Sequence, residues 1–182
     1  MEGSTNISDK IIVLYEYVSA HHPQNDQLTS ILYHLAGKVL IDRSETESGL
    51  DILFKCIEIK KRFFGVDHKE LARTYNYIGI AYHVERKYEN ALNNYLLSFN
   101  ILSLNNIHDI NLFDACMNIG IIYAIMSRFD LAYDYFGNAN KVLTNSSIEK
   151  HPEDIASFYS NYGAFTYKMG KINESNIYYE RA

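Results

Sequence analysis

The spacing of the histidines indicates whether this chain could bind a metal ion. Four of the seven histidines recur at intervals of about 40 residues, each in a polar connecting stretch. They are His22, His68, His108 and His151. Stacked structural units would place these side chains in a row along one edge, too far apart to share one metal ion. The pattern therefore predicts no metal site and favours positions at helix starts and turns.

The other reactive residue types lack the surroundings that catalysis requires. Cys56 and Cys116 fall at packing positions of helical segments, so we interpret them as small core residues. Ser147 and Lys150 match a serine–lysine spacing of some acyl-transfer enzymes, but they lie in a polar connector. The sequence has no glycine-rich phosphate-binding loop and no strand–turn–helix nucleophile motif. It predicts no catalytic residue, no cofactor and no enzymatic activity.

Composition and charge exclude several partner classes. The chain has 182 residues, 47% hydrophobic and 21% charged, with a formal net charge of −5. These values fit one globular domain and argue against binding to nucleic acid or to an anionic membrane. The first residues do not form a secretory signal, and the longest uncharged run is too polar to span a membrane. With only two cysteines, we expect a cytoplasmic protein.

Four glycines reveal an internal repeat. Gly37, Gly79, Gly120 and Gly163 lie 42, 41 and 43 residues apart. When the chain is aligned on them, an aromatic residue often follows after three positions, a small residue after twelve and a large residue after sixteen. The clearest examples of these packing positions are Tyr82, Tyr123, Ala91, Ala132, Tyr95, Phe136 and Tyr179.

The repeat predicts pairs of antiparallel helices. Around each glycine the apolar residues recur with the helical period. A glycine inside a helix costs about 1 kcal/mol relative to alanine, so we infer that it permits close approach of a partner helix. Ser44 and Glu47 have the spacing of a capping box. The predicted helices are 8–20, then the pairs 26–41 with 46–63, 69–84 with 88–102, 110–126 with 130–143, and 153–168 with 172–182.

This arrangement resembles tetratricopeptide repeats, and its period of about 42 residues is similar to the long repeats of kinesin light chain-like proteins. The resemblance implies an all-α fold, a right-handed α-solenoid of tandem helix pairs. We expect a capping helix in residues 1–22 and four repeats at about 23–67, 68–107, 108–150 and 151–182. Because no polar cap follows the last helix, we expect a fragment of a longer repeat protein, with self-association through that end as the alternative.

The resemblance also implies a concave groove that binds a peptide segment of another protein. Lys38, Arg73 and His34 would make its first half cationic, so an acidic or aromatic-acidic peptide is the expected ligand there. Asn118 and Asn161 occupy one repeat position and would either bind a peptide backbone or only solvate the surface. The positions assigned to the groove are His34, Lys38, Arg73, Asn76, Tyr77, Ile80, His83, Asp114, Asn118, Ile121, Ala124, Asn161, Ala164 and Tyr167.

Three functions are compatible with such a groove. The first is a scaffold or adaptor that captures a partner's peptide. The second is a regulator whose repeats respond to a signalling peptide, and the third is the regulatory repeat region of a larger enzyme whose catalytic domain lies outside this chain.

Overall fold

The structure is a computed structural model that describes residues 7–21, 27–144 and 152–182. His22, Ser147, Lys150 and His151, discussed above, lie outside the described residues. The described ranges contain nine α-helices and no strand. The helices are α1 Ile7–His21, α2 Gln27–Asp42, α3 Thr46–Phe64, α4 Lys69–Val84, α5 Tyr88–Leu104, α6 Ile110–Ile125, α7 Phe129–Thr144, α8 Pro152–Lys168 and α9 Ile172–Tyr179.

The predicted all-α repeat fold is confirmed by these helices. Their ends lie within two residues of the predicted ones, with one exception: α9 ends at Tyr179, before the predicted end at Ala182. The chain divides into two compact units, Met1–Asn94 and Tyr95–Ala182.

Helix pairs are the building element of each unit. In the first unit α2 packs on α3, with α1 against α2 and α4 against α3. In the second unit α6 packs on α7, and α8 packs on α9. The connections at 43–45, 126–128 and 169–171 have only three residues, which makes the two helices of a pair antiparallel.

The turn inside each pair repeats at the level of the backbone. Seven residues after the repeat glycine, the chain has positive φ at Ser44 (66°), Arg86 (59°), Ser127 (59°) and Gly170 (77°). The N–H of each of these residues donates to the carbonyl three residues earlier, and the next N–H donates to the carbonyl five residues before it. Because these bonds satisfy the last carbonyls of the first helix, they end it at the same place in every pair.

This turn explains why the capping box is a wrong prediction. Ser44 is in the left-handed region and closes α2 through its N–H, 2.9 Å from the Ile41 carbonyl oxygen. The N-cap of α3 is therefore Glu45, whose side chain makes no capping hydrogen bond.

The two helices of a pair approach each other closely at Gly37, Gly120 and Gly163. A methyl group on Gly37 would lie 2.6 Å from Leu53 Cγ, and one on Gly120 would lie 3.2 Å from the Phe136 ring. On Gly163 it would lie 3.1 Å from the Tyr179 ring. In each case the neighbour is the residue sixteen positions later in sequence, on the second helix of the same pair.

Candidate functional site

Three positions on the first helix of each pair stay accessible to solvent. They lie six and two residues before the repeat glycine and one residue after it, which places them on one helix face. Every residue at these positions is exposed or half-buried. We call this set the repeat stripe: Ile31, Leu35 and Lys38 on α2, Arg73, Tyr77 and Ile80 on α4, Asp114, Asn118 and Ile121 on α6, and Ser157, Asn161 and Ala164 on α8.

Two residues assigned to the groove from the sequence are not on this face. His34 and Asn76 both lie three residues before their glycine, and they are only 6% and 8% exposed. One residue corresponds to about 100° of rotation around a helix, so in α2 and α4 this position faces the neighbouring helices instead of solvent. The prediction that His34 contributes a positive charge to the surface is therefore wrong. His83, Ala124 and Tyr167, the remaining predicted groove residues, are accessible one helical turn beyond the stripe.

The stripe of the first unit carries two cations and an aromatic ring. The Lys38 Nζ lies 5.5 Å from the centroid of the Tyr77 ring, in cation–π geometry that joins α2 to α4. Arg73 is exposed one turn before Tyr77. Neither cation forms an ion pair with a described residue, and this part of the stripe contains no carboxylate. Its local charge is therefore positive although the chain as a whole is negative.

A buried polar cluster lies beneath these cations. The His34 Nδ1 is 3.2 Å from the Thr74 Oγ1, and the His34 ring packs edge-on against Tyr77 at 5.2 Å. Lys60, only 3% exposed, donates to the Glu70 carbonyl oxygen at 2.8 Å and to the Thr74 Oγ1 at 3.2 Å. The cluster thus fixes the ring of Tyr77, over which Lys38 lies.

Burial and charge set the protonation of this cluster. Burial first, and then the Lys60, Arg73 and Lys38 cations, lower the pKa of His34 to about 3. Burial also lowers the pKa of the Lys60 amine, and it raises the pKa of the Cys56 thiol. His34 is consequently neutral at neutral pH and acts as a hydrogen-bonding side chain without charge.

Sequence reasoning missed Lys60 and Thr74. The available signal was the period of α3, in which Leu53, Cys56, Ile57 and Lys60 share the buried face. A lysine at a position that otherwise holds core residues indicates a buried polar partner, because an unpaired buried ammonium is very costly. The partners, Glu70 and Thr74, belong to the next repeat, so their identity depended on the packing of α3 against α4.

The stripe of the second unit is polar and carries one acid, Asp114. Asn161 donates from Nδ2 to the Ser157 carbonyl oxygen at 2.8 Å, one turn earlier in its own helix. The same Nδ2 also donates to the Ser157 Oγ at 3.4 Å, so it is the Oδ1 of Asn161 that remains as an acceptor for a partner. Lys168 donates to the Ala124 carbonyl oxygen at 3.0 Å and so connects α8 to the end of α6.

Metal and nucleophile chemistry has little support in the part of the chain that the structure describes. No three His, Cys, Asp or Glu residues there are grouped to hold a metal ion. His68 caps α4 by accepting the Glu70 N–H at its Nδ1, 3.3 Å away. Cys116 is fully buried, and burial raises its thiol pKa to about 12. Within the described ranges, no helix combines the length and the apolar character needed to cross a bilayer.

Comparisons with known proteins identify similar folds but no close relative. No family model matches the chain, and neither does any curated protein sequence. Among solved structures, BtubC (BKLC) from P. vanneervenii has a TM-score of 0.81 at 15% identity, covering 96% of this chain and 71% of BtubC. A kinesin light chain with nearly identical TPR-like repeats from Podosopora anserina has a TM-score of 0.73 at 8% identity, with coverages of 96% and 82%.

A third similar structure contains a bound peptide. It is the Rap conjugation gene regulator of the plasmid pLS20 in complex with the Phr* peptide. Its TM-score is 0.67 at 14% identity, and the match covers 96% of this chain and 52% of that one. At these identities the similarity establishes the fold alone.

Proposed function

We propose that this chain, whose fold is that of tetratricopeptide-type repeat proteins, is a protein-interaction module that binds a peptide segment of a partner through residues of the repeat stripe. It acts as a scaffold or adaptor in the cytoplasm, and we propose no catalytic role for it. The single observation that carries the proposal is the stripe itself, whose three positions are accessible on all four helices, α2, α4, α6 and α8. The similar Rap regulator, which is in complex with the Phr* peptide, supports a peptide as the kind of ligand.

The stripe residues of the first unit indicate which kind of peptide would bind. Lys38 and Arg73 have no carboxylate partner among the described residues, and Tyr77 offers an aromatic face beside them. A peptide carboxylate near these cations would gain charge-assisted hydrogen bonds. An acidic peptide is therefore the preferred ligand of this part of the stripe. On α6 and α8 the asparagine side chains offer donors and acceptors suited to an extended backbone.

The test uses a peptide array screened at low salt, where exposed charges are least screened. The wild-type chain is expected to capture acidic extended peptides in preference to basic ones. Arg73→Glu should abolish that preference, whereas Arg62→Glu, an exposed change at the end of α3 outside the stripe, should leave it intact. Unchanged capture of acidic peptides by Arg73→Glu would refute the assignment of this surface.

The asparagines are tested separately. Asn118→Ala combined with Asn161→Ala should weaken capture of extended peptides while the melting temperature stays near that of the wild type. An equal loss of folding would show that the two amides are structural.

A second candidate function is a peptide-responsive regulator. It is favoured by one observation, the regulator with a bound peptide among the similar structures. For this function, saturation with a captured peptide should change hydrogen exchange well beyond the stripe, whereas a static adaptor should show protection only at the contact residues.

A further inference from the structure

An apolar groove lies between α1 and α2. Leu14 on α1 and Leu28, Ile31 and Leu35 on α2 line it, with exposed fractions of 52%, 72%, 43% and 38%. Its volume is about 360 Å³. Val13 and Tyr17 extend the same apolar surface over α1, at 64% and 55% exposed. So many large apolar side chains exposed together on one face indicate an interaction site.

The apolar residues that line the groove determine which backbone conformation a bound peptide can have. Among the described residues, Thr29 is the only polar one that lines the groove, and it is buried and already has a polar interaction within the chain. An extended peptide would bury backbone N–H and C=O groups there without partners, which is strongly unfavourable in an apolar environment. An α-helix satisfies its own backbone, so only its side chains need to fit. Leu28, Ile31 and Leu35 follow each other along one helical face, as the ridges of helix–helix packing do.

Charge distinguishes the possible sources of such a helix. Lys10 borders the apolar surface on α1, and Lys38 follows Leu35 by one turn on α2. Asp9, the acid that lines this surface together with Lys10, is paired with Arg43 at 2.5 Å, whereas neither lysine forms an ion pair with a described residue. A second copy of this chain would bring the same two lysines to the contact. An anionic bilayer would meet a chain with a net charge of −5.

We infer that the α1/α2 groove docks an amphipathic α-helix of another protein, with acidic residues beside its apolar face. The docked helix places its apolar side chains between Leu14 and Ile31 and its carboxylates near Lys10 and Lys38. The groove and its border share Ile31, Leu35 and Lys38 with the repeat stripe. The interaction nevertheless goes beyond the proposed peptide binding, because it also requires Leu14 and Lys10 of α1, which are not part of the stripe.

Fluorescence anisotropy with a defined probe tests the inference on the full chain. The probe is a labelled peptide of about 18 residues, close to the length of α2, with leucines at heptad a and d positions, glutamates at e and g and alanine elsewhere. Two control peptides replace the glutamates with lysine or introduce two central prolines that prevent a helix. The wild type should bind the glutamate peptide at least about tenfold more tightly than either control.

Substitutions then locate the binding site. Leu14→Glu and, separately, Leu28→Glu should each weaken binding of the glutamate peptide at least about tenfold, because each places a carboxylate in the apolar groove. Both residues are largely exposed, so the variants should keep the wild-type melting temperature. Val66→Glu, a matched change at an exposed position in the α3–α4 connection, should not alter binding. Lys10→Glu should weaken binding of the glutamate peptide and strengthen that of the lysine peptide.

Four outcomes would overturn the inference. The first is failure of the glutamate peptide to bind, and the second is binding that Leu14→Glu and Leu28→Glu leave unchanged. The third is a wild-type dimer in light scattering that Leu14→Glu converts to monomer, which would assign the groove to a second copy. The fourth is binding to vesicles of phosphatidylserine and phosphatidylcholine that Leu14→Glu abolishes, which would assign it to a membrane. Because Arg73→Glu should leave helix binding intact, failure here is distinguishable from failure of the proposed function.

Discussion

A methyl group on Gly37 would lie 2.6 Å from Leu53 Cγ, closer than packed carbon atoms can approach. Leu53 is fully buried in the core. On the other side, the same methyl group would lie 3.2 Å from the carbonyl oxygen of Gly49, which belongs to the backbone of α3. The separation of α2 and α3 is therefore set by the absence of a side chain at position 37.

Gly37→Ala should lower the free energy of unfolding by about 1–3 kcal/mol, the usual cost of overpacking a core. Urea denaturation followed by circular dichroism measures this change. Gly137→Ala is the matched control, because a methyl group at Gly137 in α7 would contact nothing within 4 Å. It should raise stability by up to about 1 kcal/mol through helix propensity. If both variants shifted stability in the same direction, the close approach at Gly37 would not be limiting.

At the left-handed turns, we expect substitutions to and from glycine to change stability in opposite directions. Gly170 has φ of 77° with open space around it, so Gly170→Ala should cost about 1 kcal/mol from backbone conformation alone. Ser127 occupies the same position of another repeat at φ 59°, and Ser127→Gly should keep or raise stability. Thermal unfolding of the two variants checks both signs. A melting temperature that falls for Ser127→Gly would mean that its side chain, not its backbone, determines this turn.

His34 predicts a loss of stability on mild acidification. Its pKa is about 3 in the folded protein and 6.5 as the ordinary value, so between these limits the unfolded chain binds more protons. The free energy of unfolding therefore has its full value above pH 6.5 and decreases as the pH falls towards 3. The decrease is about 2 kcal/mol between pH 6.5 and 5. Burial lowers the pKa of His83 as well, which adds a contribution of the same sign.

Urea titrations at several pH values measure this dependence. His34→Gln should flatten it above about pH 5, where most carboxylates remain ionised. His108→Gln, at an exposed position before α6, should leave it unchanged. An identical pH dependence in the wild type and His34→Gln would contradict the burial of a neutral imidazole at this site.

We expect that the hydroxyl group of Tyr95 can be removed without loss of stability. Its side chain is fully buried, and its hydroxyl has no hydrogen-bond partner among the described residues. Tyr95→Phe removes an unsatisfied polar atom, so the free energy of unfolding should stay the same or rise by up to about 2 kcal/mol. The melting temperature should accordingly stay the same or rise. Tyr33→Phe should instead cost about 0.5–1 kcal/mol, because the Tyr33 hydroxyl donates to the Ser19 Oγ at 3.3 Å. A clear drop for Tyr95→Phe would reveal a partner such as a buried water.

The sequence alone was sufficient to predict the repeat and the helices that form it. The spacing of Gly37, Gly79, Gly120 and Gly163 predicted a two-helix unit because helical periodicity and glycine placement are local properties of the chain. The turns were beyond this reasoning. Ser44, Arg86, Ser127 and Gly170 all have positive φ although they comprise three residue types, so no single residue type marks these turns.

The surface was predicted only in part. Repeat spacing identified the helices whose outer faces bear Arg73, Tyr77 and Asn118, but it also assigned the buried His34 and Asn76 to that surface. A sequence fixes the order of residues around a helix, whereas the direction that each face points is fixed by contacts with helices distant in the chain. The packing of α3 on α4 brought Lys60 to Thr74, and that of α1 on α2 opened an apolar groove. Both results depend on tertiary geometry, because each joins residues that no local spacing relates.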